Sequence, residues 1–305
     1  MSEIRILWKD FPSSDWEKVI SALPRSNIYQ DWNYAEAARI ANNIGIHRGL
    51  IYRNQKPIGL VQGFETRYLF GFKLIRFIRG PLFIEKATPA ERLSCYAGIK
   101  RSCRLIKRQM AVILPELSYS DASDKSFKSI NLNRIFAGME TNWLNLSLPF
   151  NKLHENLSKS WQRDVKKAES HEIRIDFEGS LDDILPHHAQ HKSNKGYNAD
   201  SIDLYKNLPN EKLIIVNAIQ AGKIIASALF ILHSKCATYQ IGWSDEGARK
   251  INAQKLLMWQ SVEHLKERGV TWLDLGAMDQ KSAPGVTKFK QGLGGDTFIL
   301  SGTYI

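Results

Sequence analysis

Both halves of the chain show the same succession of secondary-structure patterns. Helical periodicity comes first, then short runs of alternating apolar residues separated by turn residues, then a further helix and a further strand. Helix and strand patterns mixed in this way are typical of α/β folds with mixed sheets. No sequence repeat of fixed period accompanies the pattern. The sequence therefore predicts two similar α/β domains in tandem, residues 1–149 and residues 150–305.

Local signals predict the elements on either side of this boundary. The segment Thr141–Leu148 has strand periodicity and is expected to pair with the first sheet, which places the boundary after it. A long basic helix is predicted over Leu153–Ser170, and a closing strand over Thr297–Tyr304. The polar segment Ser118–Arg134 predicts a surface loop or a mobile helix.

The chain is basic, and its charge limits the kinds of partner that it attracts. Its 305 residues include 42 Lys and Arg against 31 Asp and Glu, which gives a net charge of +11. Such a charge attracts polyanions such as RNA, nucleotide-linked substrates or anionic lipid headgroups. The alternative is a basic surface that has no dedicated partner. DNA is not expected as a partner.

Cysteine usage and the apolar runs predict a cytoplasmic protein. The three cysteines are odd in number and include no Cys-x-x-Cys pair, which argues against a disulfide framework and a thiolate zinc site. The first residues mix charged and apolar side chains, unlike a signal peptide. The longest apolar run, near Ala228–Leu232, is far shorter than the roughly 20 residues that span a bilayer.

Residue spacing predicts neither a metal site nor a covalent nucleophile. His187, His188 and His191 have helical spacing, but no carboxylate is placed as in a His-Glu-x-x-His motif. The serines, cysteines and histidines define no catalytic triad by their spacing. We therefore expect chemistry without a bound metal or a covalent intermediate.

The second half resembles the GNAT acyltransferases, in which a splayed strand leads through a turn into a helix. In that family the turn has the form Gln/Arg-x-x-Gly-x-Gly/Ala, and its backbone N–H groups hold the pyrophosphate of acyl-CoA. The corresponding turn here runs from Arg249 to Gln254 and retains only Arg249. Asn252 and Gln254 stand in place of the two small residues, which disfavours CoA binding.

A more specific resemblance, to the FemABX peptidyltransferases, extends over nearly the whole chain. It rests on Gln30–Ala35, Arg79–Leu82, Leu157–Ala168, Leu273–Gly276 and Pro284–Gly295. The resemblance implies two GNAT-like domains and an enzyme that moves an amino acid from aminoacyl-tRNA to an amine without a further cofactor. The acceptor in that family is typically a peptidoglycan precursor, a muropeptide linked to UDP or to a lipid. A peripheral contact with the membrane is a further expectation.

The resemblance assigns the central chemistry to Lys290. Aminolysis of an ester passes through a tetrahedral oxyanion, which a fixed cation stabilises more than it stabilises the substrate. Lys290 is similar to the lysine of the family's Phe-Lys-x-Gly element, in which Phe289 would contact the tRNA 3′ end and Gly292 would allow close approach. The alternative is that Phe289 packs in the core while Lys290 and Lys288 are solvated charges on a short helix.

Two further groups are candidates, each with a structural alternative. Asp274 ends a predicted central strand, where a raised pKa would make it a general base for the incoming ammonium. Its alternative role is a carboxylate satisfied by a helix N-terminus.

A surface that faces RNA or phosphates is predicted from two sets of cations, and its alternative is a solvated helix face. The cations are Arg163, Lys166 and Lys167 in one helix, and Arg101, Arg104, Lys107 and Arg108 elsewhere.

Four residues are candidates for substrate binding through the resemblance alone. Lys195, Tyr197 and Tyr239 correspond to positions at which family members place basic and aromatic contacts to substrate. Arg39 follows the position, here Ala38, at which the family uses a lysine for the nucleotide-sugar phosphates. One residue turns a side chain by roughly 100° around a helix, so we expect an acceptor that differs from the usual muropeptide.

These observations predict three functions, in decreasing order of support. The first is an aminoacyl-tRNA-dependent aminoacyltransferase with Lys290 as the group that stabilises the oxyanion. The second is an N-acyltransferase that uses acetyl-CoA and acts on an amino sugar or an amino acid. The third is a non-enzymatic RNA-binding protein, which the lack of a recognised RNA-binding motif disfavours.

Overall fold

The computed structural model describes residues 4–195 and 200–305, without the side chains of Leu105 and of residues 191–195. The described chain divides into two compact units, the first formed by Met1–Glu140 and Phe298–Ile305 and the second by Thr141–Thr297. The division falls between Glu140 and Thr141 rather than between Pro149 and Phe150, and the C-terminal residues return to the first unit.

Helices and strands are mixed along the whole described chain. Up to Phe136 they are β1 (Ile4–Trp8), α1 (Ser13–Ser21), α2 (Trp32–Asn42), β2 (Gly45–Arg53), β3 (Lys56–Arg67), β4 (Lys73–Ile78), β5 (Leu82–Phe83), α3 (Pro89–Ser102), β6 (Gln109–Leu114), α4 (Asp121–Ser129) and β7 (Arg134–Phe136). From Glu140 they are β8 (Glu140–Asn145), α5 (Phe150–Asn156), α6 (Lys159–Glu169), β9 (Arg174–Asp176), α7 (Leu181–Lys195), α8 (Ile202–Lys206), β10 (Leu213–Gln220), β11 (Lys223–His233), β12 (Cys236–Ser244), α9 (Glu246–Lys250), α10 (Ala253–Glu267), β13 (Trp272–Met278), α11 (Pro284–Gly292), β14 (Asp296–Ile299) and β15 (Thr303–Tyr304).

The two sheets share one pattern of strand pairing. Within the described residues, the first sheet has the order β1-β2-β3-β4-β6-β15-β7, with β5 on β3, and the second has the order β14-β8-β13-β12-β11-β10-β9. In the first sheet the strands from β1 to β4 pair antiparallel and β4 then pairs parallel with β6. In the second sheet the strands from β9 to β12 pair antiparallel and β12 then pairs parallel with β13. Both sheets are therefore mixed, with parallel and antiparallel pairs. The repeated sequence pattern predicts this repeated topology.

Helix ends form where the sequence supplies capping groups. The Thr88 hydroxyl accepts from the Glu91 N–H and the Glu91 carboxylate accepts from the Thr88 N–H, so a capping box with Pro89 at the first position begins α3. The Asp31 carboxylate caps α2 by accepting a hydrogen bond from the Tyr34 N–H. The polar segment Ser118–Arg134 also forms a short helix, because Ser120 caps α4.

Buried hydrogen bonds join two of the segments that carry the family resemblance in the first unit. Gln30 donates from Nε2 to the Ile78 carbonyl at 2.9 Å, and its Oε1 accepts from the Gln62 N–H at 2.8 Å. Asn27 donates to the Arg79 carbonyl at 2.7 Å. The side chains of Gln30 and Asn27 are buried, so removal of a partner would leave a buried polar group unsatisfied, and these polar contacts hold the two parts of the chain together in addition to packing.

The expectation that Thr141–Leu148 pairs with the first sheet is wrong. Strand β8 lies in the second sheet between β13 and β14. Trp143 and Leu144 are buried in it, and Leu144 belongs to the core that α6 and α10 cover. Periodicity identified the strand, but an alternating pattern carries no information about which of two sheets the strand joins.

The predicted helix Leu153–Ser170 is interrupted. Leu157 has extended backbone angles, and Ser158 then caps α6 by accepting from the Trp161 N–H. The Ser158 N–H donates to the Gly292 carbonyl at 2.9 Å, which fixes the break against the end of α11.

The predicted closing strand Thr297–Tyr304 is also interrupted. Its first part, β14, belongs to the second sheet, and its last part, β15, pairs with β6 and β7 in the first. Gly302 has φ +117°, and a Cβ there would lie 2.4 Å from the Phe136 carbonyl oxygen. The glycine therefore permits the crossing from one sheet to the other.

None of the helices in the described ranges is both long enough and apolar enough to cross a bilayer.

Candidate active site

Strands β12 and β13 diverge, and the divergence creates room for a site in the second unit. Their parallel pairing is restricted to Cys236–Thr238 opposite Trp272–Asp274. Beyond it, β12 continues to Ser244 and β13 to Met278. A cavity of about 490 Å³ is lined by the end of β12 that extends beyond its pairing with β13, by α9, by the start of α10 and by α11. Such a volume is in the range of small-molecule sites.

Lys290 lines this cavity with a side chain that is almost fully buried. It is 9% exposed, and its Nζ donates a hydrogen bond to the Ala277 carbonyl at 2.8 Å. Burial lowers the pKa of Lys290 to about 8, an effect that the nearby Asp274 carboxylate opposes. The group is therefore mostly cationic at neutral pH. It is not a solvated lysine, in contrast to the exposed Lys288 on the same helix.

Asp274 lies behind Lys290 and does not line the cavity. The carboxylate is fully buried and accepts from the Gly276 N–H at 2.8 Å and from the Thr141 hydroxyl at 3.4 Å. These two partners belong to strands β13 and β8. The charge of Asp274 raises the pKa of Lys290, which favours the charged form of the lysine.

Phe289 stands between the cavity and the core. Its ring centroid lies 5.0 Å from that of the buried Trp161 and 6.4 Å from that of Tyr239. The side chain is half-buried and lines the cavity. One side of the ring therefore packs in the core, as the structural alternative for Phe289 predicts. The other side contributes an aromatic surface to the site.

Gly292 is buried against the indole of Trp161. A Cβ at residue 292 would lie 2.2 Å from Trp161 Cδ1, closer than any real contact. The group that comes close to the backbone at Gly292 is therefore the indole of Trp161. Through Trp161 the glycine supports the position of Phe289.

Tyr239 contributes a hydroxyl to the cavity. Gln254 donates from Nε2 to the Tyr239 hydroxyl at 3.3 Å, and burial raises the pKa of Tyr239 to about 12, so the phenol stays protonated at neutral pH. Gly242 makes room for this hydroxyl, because a Cβ at residue 242 would lie 1.7 Å from it. In the described part of the chain, the Gln254 Oε1 atom is buried without a hydrogen-bond partner.

The cavity has a cationic lining. It includes Arg249, Lys255 and Lys290, and the described lining residues include no acidic side chain. Lys255 pairs with Asp164 at 2.6 Å and lowers the pKa of that carboxyl. Such a lining favours a substrate that carries negative charge or develops it during the reaction.

A β-bulge explains why so many neighbours on β12 line the cavity. Opposite β11, Tyr239 pairs with Phe230 and Ile241 pairs with Leu229, so Gln240 is skipped. A bulge turns adjacent side chains away from regular alternation. Sequence reasoning missed Gln240 for this reason, because period-2 alternation is the signal it uses for strands. It also missed Trp243, which no motif singles out.

Trp243 forms part of the cavity wall through a ring stack. The centroids of its indole and of the His187 ring lie 3.5 Å apart, with an interplanar angle of 9°. Burial lowers the pKa of His187. His188 packs edge-on against Tyr205. These two histidines therefore have aromatic partners, and His191 has no described side chain.

The remaining candidate residues lie elsewhere. Arg163 is exposed and pairs with Asp164 at 3.4 Å, while Lys166 and Lys167 are exposed on the same helix. Arg39, on α2 of the first unit, pairs with Glu36 at 2.7 Å. Tyr197 lies outside the described residues, as does the side chain of Lys195. The structure thus brings together Lys290, Phe289 and Tyr239, with Asp274 and Gly292 behind them.

Comparisons with known proteins show which family and which solved structures this chain is similar to. The model of the FemAB family matches residues 185–305, which include every residue that lines the cavity. The crystal structure of FemX superposes with a TM-score of 0.79 at 12% identity, over 98% of this chain and 96% of that chain. A search of curated protein sequences found no match.

Two further solved structures share the fold. A tandem GNAT protein from the clavulanic acid biosynthesis pathway superposes with a TM-score of 0.53 at 11% identity, over 99% of this chain and 98% of that one. L-PGS from Bacillus licheniformis superposes with a TM-score of 0.50 at 11% identity, over 81% of this chain and 80% of that one. The prediction of two GNAT-like domains is confirmed.

Proposed function

We propose that this chain is an aminoacyltransferase of the FemABX type that uses aminoacyl-tRNA and acts on an amine; the match of residues 185–305 to the FemAB family and the fold shared with FemX support this proposal. It moves an amino acid from the tRNA ester to an acceptor amine. The acceptor class that fits the family is a peptidoglycan precursor, a muropeptide linked to UDP or to a lipid, or a similar amine of the cell envelope or of metabolism.

The single observation that carries the proposal is the buried Lys290 in a cationic cavity. A cation held at low exposure beside an aromatic wall stabilises an oxyanion more strongly than a solvated lysine does, because little water screens it. The hydrogen bond to Ala277 fixes the ammonium group before substrate binds, which reduces reorganisation during the reaction.

The reaction proceeds in this proposal by direct aminolysis. The amine nitrogen attacks the ester carbonyl carbon, and the carbonyl oxygen becomes an oxyanion beside Lys290. The oxyanion then re-forms the carbonyl while the C–O bond to the tRNA ribose breaks, and the proton that the attacking nitrogen loses is passed to the ribose oxygen, which leaves as a hydroxyl. In this proposal Tyr239, which lines the cavity and stays protonated, donates a hydrogen bond to the leaving oxygen.

The choice of donor rests on the turn before α10. Asn252 has φ +59° and makes no side-chain cap, and Gln254 fills part of the cavity and bonds Tyr239. In a CoA-binding turn, small residues let phosphates reach the backbone N–H groups. The two side chains here support a donor other than acyl-CoA, and no further cofactor is proposed.

The donor is tested by offering both candidates to the purified protein. We expect an amine acceptor to become labelled from charged tRNA, and labelling to stop after RNase treatment. CoA at 100 times the dissociation constant of a specific ligand would stabilise a CoA-binding protein by about 2.7 kcal/mol, and we expect no such shift. Labelling that survives RNase and requires acetyl-CoA would contradict the proposal and support the N-acyltransferase.

The pH dependence of transfer tests the charge on Lys290. Lys290 is cationic below its pKa of about 8 and neutral above it, so transfer is expected to decline as pH rises through that value. Arginine stays charged at high pH. We therefore expect Lys290→Arg, although slower, to lose this alkaline decline. Rates are corrected at each pH for spontaneous hydrolysis of the ester, and an identical decline in both proteins would show that another group titrates.

A further inference from the structure

Three large apolar side chains on two loops of the first unit are almost fully exposed. Leu69 is 82% exposed, Phe70 is 88% exposed and Ile106 is 91% exposed, the highest values among the large apolar side chains of the described residues. Scattered apolar side chains are ordinary on protein surfaces, but several at the tips of adjoining loops mark an interaction site.

The two loops adjoin each other at one end of the first sheet. One joins β3 to β4, and the other precedes β6, which pairs parallel with β4 from Lys73 opposite Gln109 onward. Arg108 donates from Nη1 to the Phe70 carbonyl, and the Lys73 N–H donates to the Arg108 carbonyl at 2.7 Å. We call residues 67–73 and 101–108 the loop-tip patch.

The two segments of the chain that carry the patch are strongly cationic. Residues 66–84 contain four Lys or Arg and residues 92–115 contain six, and neither segment contains Asp or Glu. Four cations on the patch are exposed and have no ion pair among the described residues: Arg101, Arg104, Lys107 and Arg108. Arg67 and Lys73 are balanced by the buried Glu65. These segments account for much of the excess positive charge of the chain.

The exposed tip is also held in an unfavourable backbone conformation. Phe70 has φ +59°, a left-handed conformation that bulky residues rarely adopt. Its exposed ring has little contact within the protein that would offset this cost. A strained conformation that presents an aromatic ring to solvent points to a role outside the fold.

We propose that the loop-tip patch binds the surface of an anionic membrane, with Leu69, Phe70 and Ile106 inserted among the lipids and the surrounding cations on the phosphate headgroups. Apolar side chains within a cationic ring match a bilayer surface, which is anionic outside and apolar beneath. An RNA surface explains the charge but not the exposed aliphatic side chains, because bases stack on aromatic rings rather than on Leu or Ile. This binding goes beyond the proposed transfer and does not depend on it.

The vesicle test uses the full chain and two kinds of vesicle, without tRNA or acceptor, and the tRNA affinity and oligomeric state of each variant are measured separately. Vesicles of equal parts phosphatidylglycerol and phosphatidylcholine are expected to sediment the protein, while pure phosphatidylcholine vesicles are not. Leu69→Ser/Phe70→Ser/Ile106→Ser is expected to lower the partition coefficient at least about tenfold. Arg101→Gln/Arg104→Gln/Lys107→Gln is expected to lower it by a similar factor and to remove most of its salt dependence.

The matched control is Ile40→Ser/Phe136→Ser, which removes exposed apolar side chains elsewhere in the first unit, 55% and 67% exposed. It is expected to bind vesicles as the wild type does, and all variants are expected to keep the wild-type Tm. Equal binding by the apolar triple variant would overturn the proposal. So would loss of tRNA affinity in the charge variant without loss of vesicle binding, or a change of oligomeric state in the apolar variant.

Discussion

Replacement of Lys290 by methionine is expected to lower kcat for transfer by about 10²–10³-fold, the usual cost of removing one oxyanion-stabilising group. KM is expected to change little, because the interaction forms only in the transition state. Methionine fills the space of the lysine stem, and Asp274 keeps its hydrogen bonds from Gly276 and Thr141. The fold is therefore expected to persist, as measured by circular dichroism.

The matched control is Lys288→Met on the same helix. Lys288 is exposed, and the cavity lining does not include it. Its removal changes the net charge of the chain by the same amount, so a general electrostatic effect on tRNA binding would appear equally in both variants. A similar loss of kcat in both variants would contradict a specific role for Lys290.

Gly292→Ala is expected to destabilise the protein by about 1–3 kcal/mol, the range for an overpacked core. The added Cβ would lie 2.2 Å from Trp161 Cδ1, and Trp161 is 1% exposed, so the indole has to move. Since Trp161 packs against Phe289, transfer activity is expected to fall as well. Urea unfolding at neutral pH measures the stability.

Gly285→Ala is the control for this prediction, because it makes the same substitution in the same helix. A Cβ at residue 285 would meet no atom within 4 Å. Alanine is the better helix former, so the free energy of unfolding is expected to stay constant or to rise by up to about 1 kcal/mol. Equal destabilisation by both substitutions would show that the contact with Trp161 is not the cause.

The fold followed from the sequence because periodicity and capping residues are local. The mixture of helices and strands in both halves of the chain was predictable for that reason. Strand β8 was assigned to the wrong sheet, and the crossing between β14 and β15 was missed. Both errors concern pairing between segments far apart in the chain, which local patterns do not specify.

The site was predictable only in part, for reasons that particular residues illustrate. Lys290 and Phe289 were found through a motif, but their burial depends on α11 packing against β13 and Trp161. Gln240 was missed because the bulge at this residue breaks the alternation of β12. The function of Gly292 was assigned to substrate approach, whereas its nearest neighbour is a side chain of the protein itself.

A single turnover of the wild-type enzyme with charged tRNA tests the central claim most directly. Enzyme in excess over aminoacyl-tRNA is mixed with an amine acceptor, without CoA, and the ester, the amide product and the intact mass of the enzyme are measured over time. The account predicts one amide formed for each ester lost, no mass added to the enzyme, and a slower amide phase in Lys290→Met. An aminoacylated enzyme, or an amide phase that Lys290→Met leaves unchanged, would contradict it.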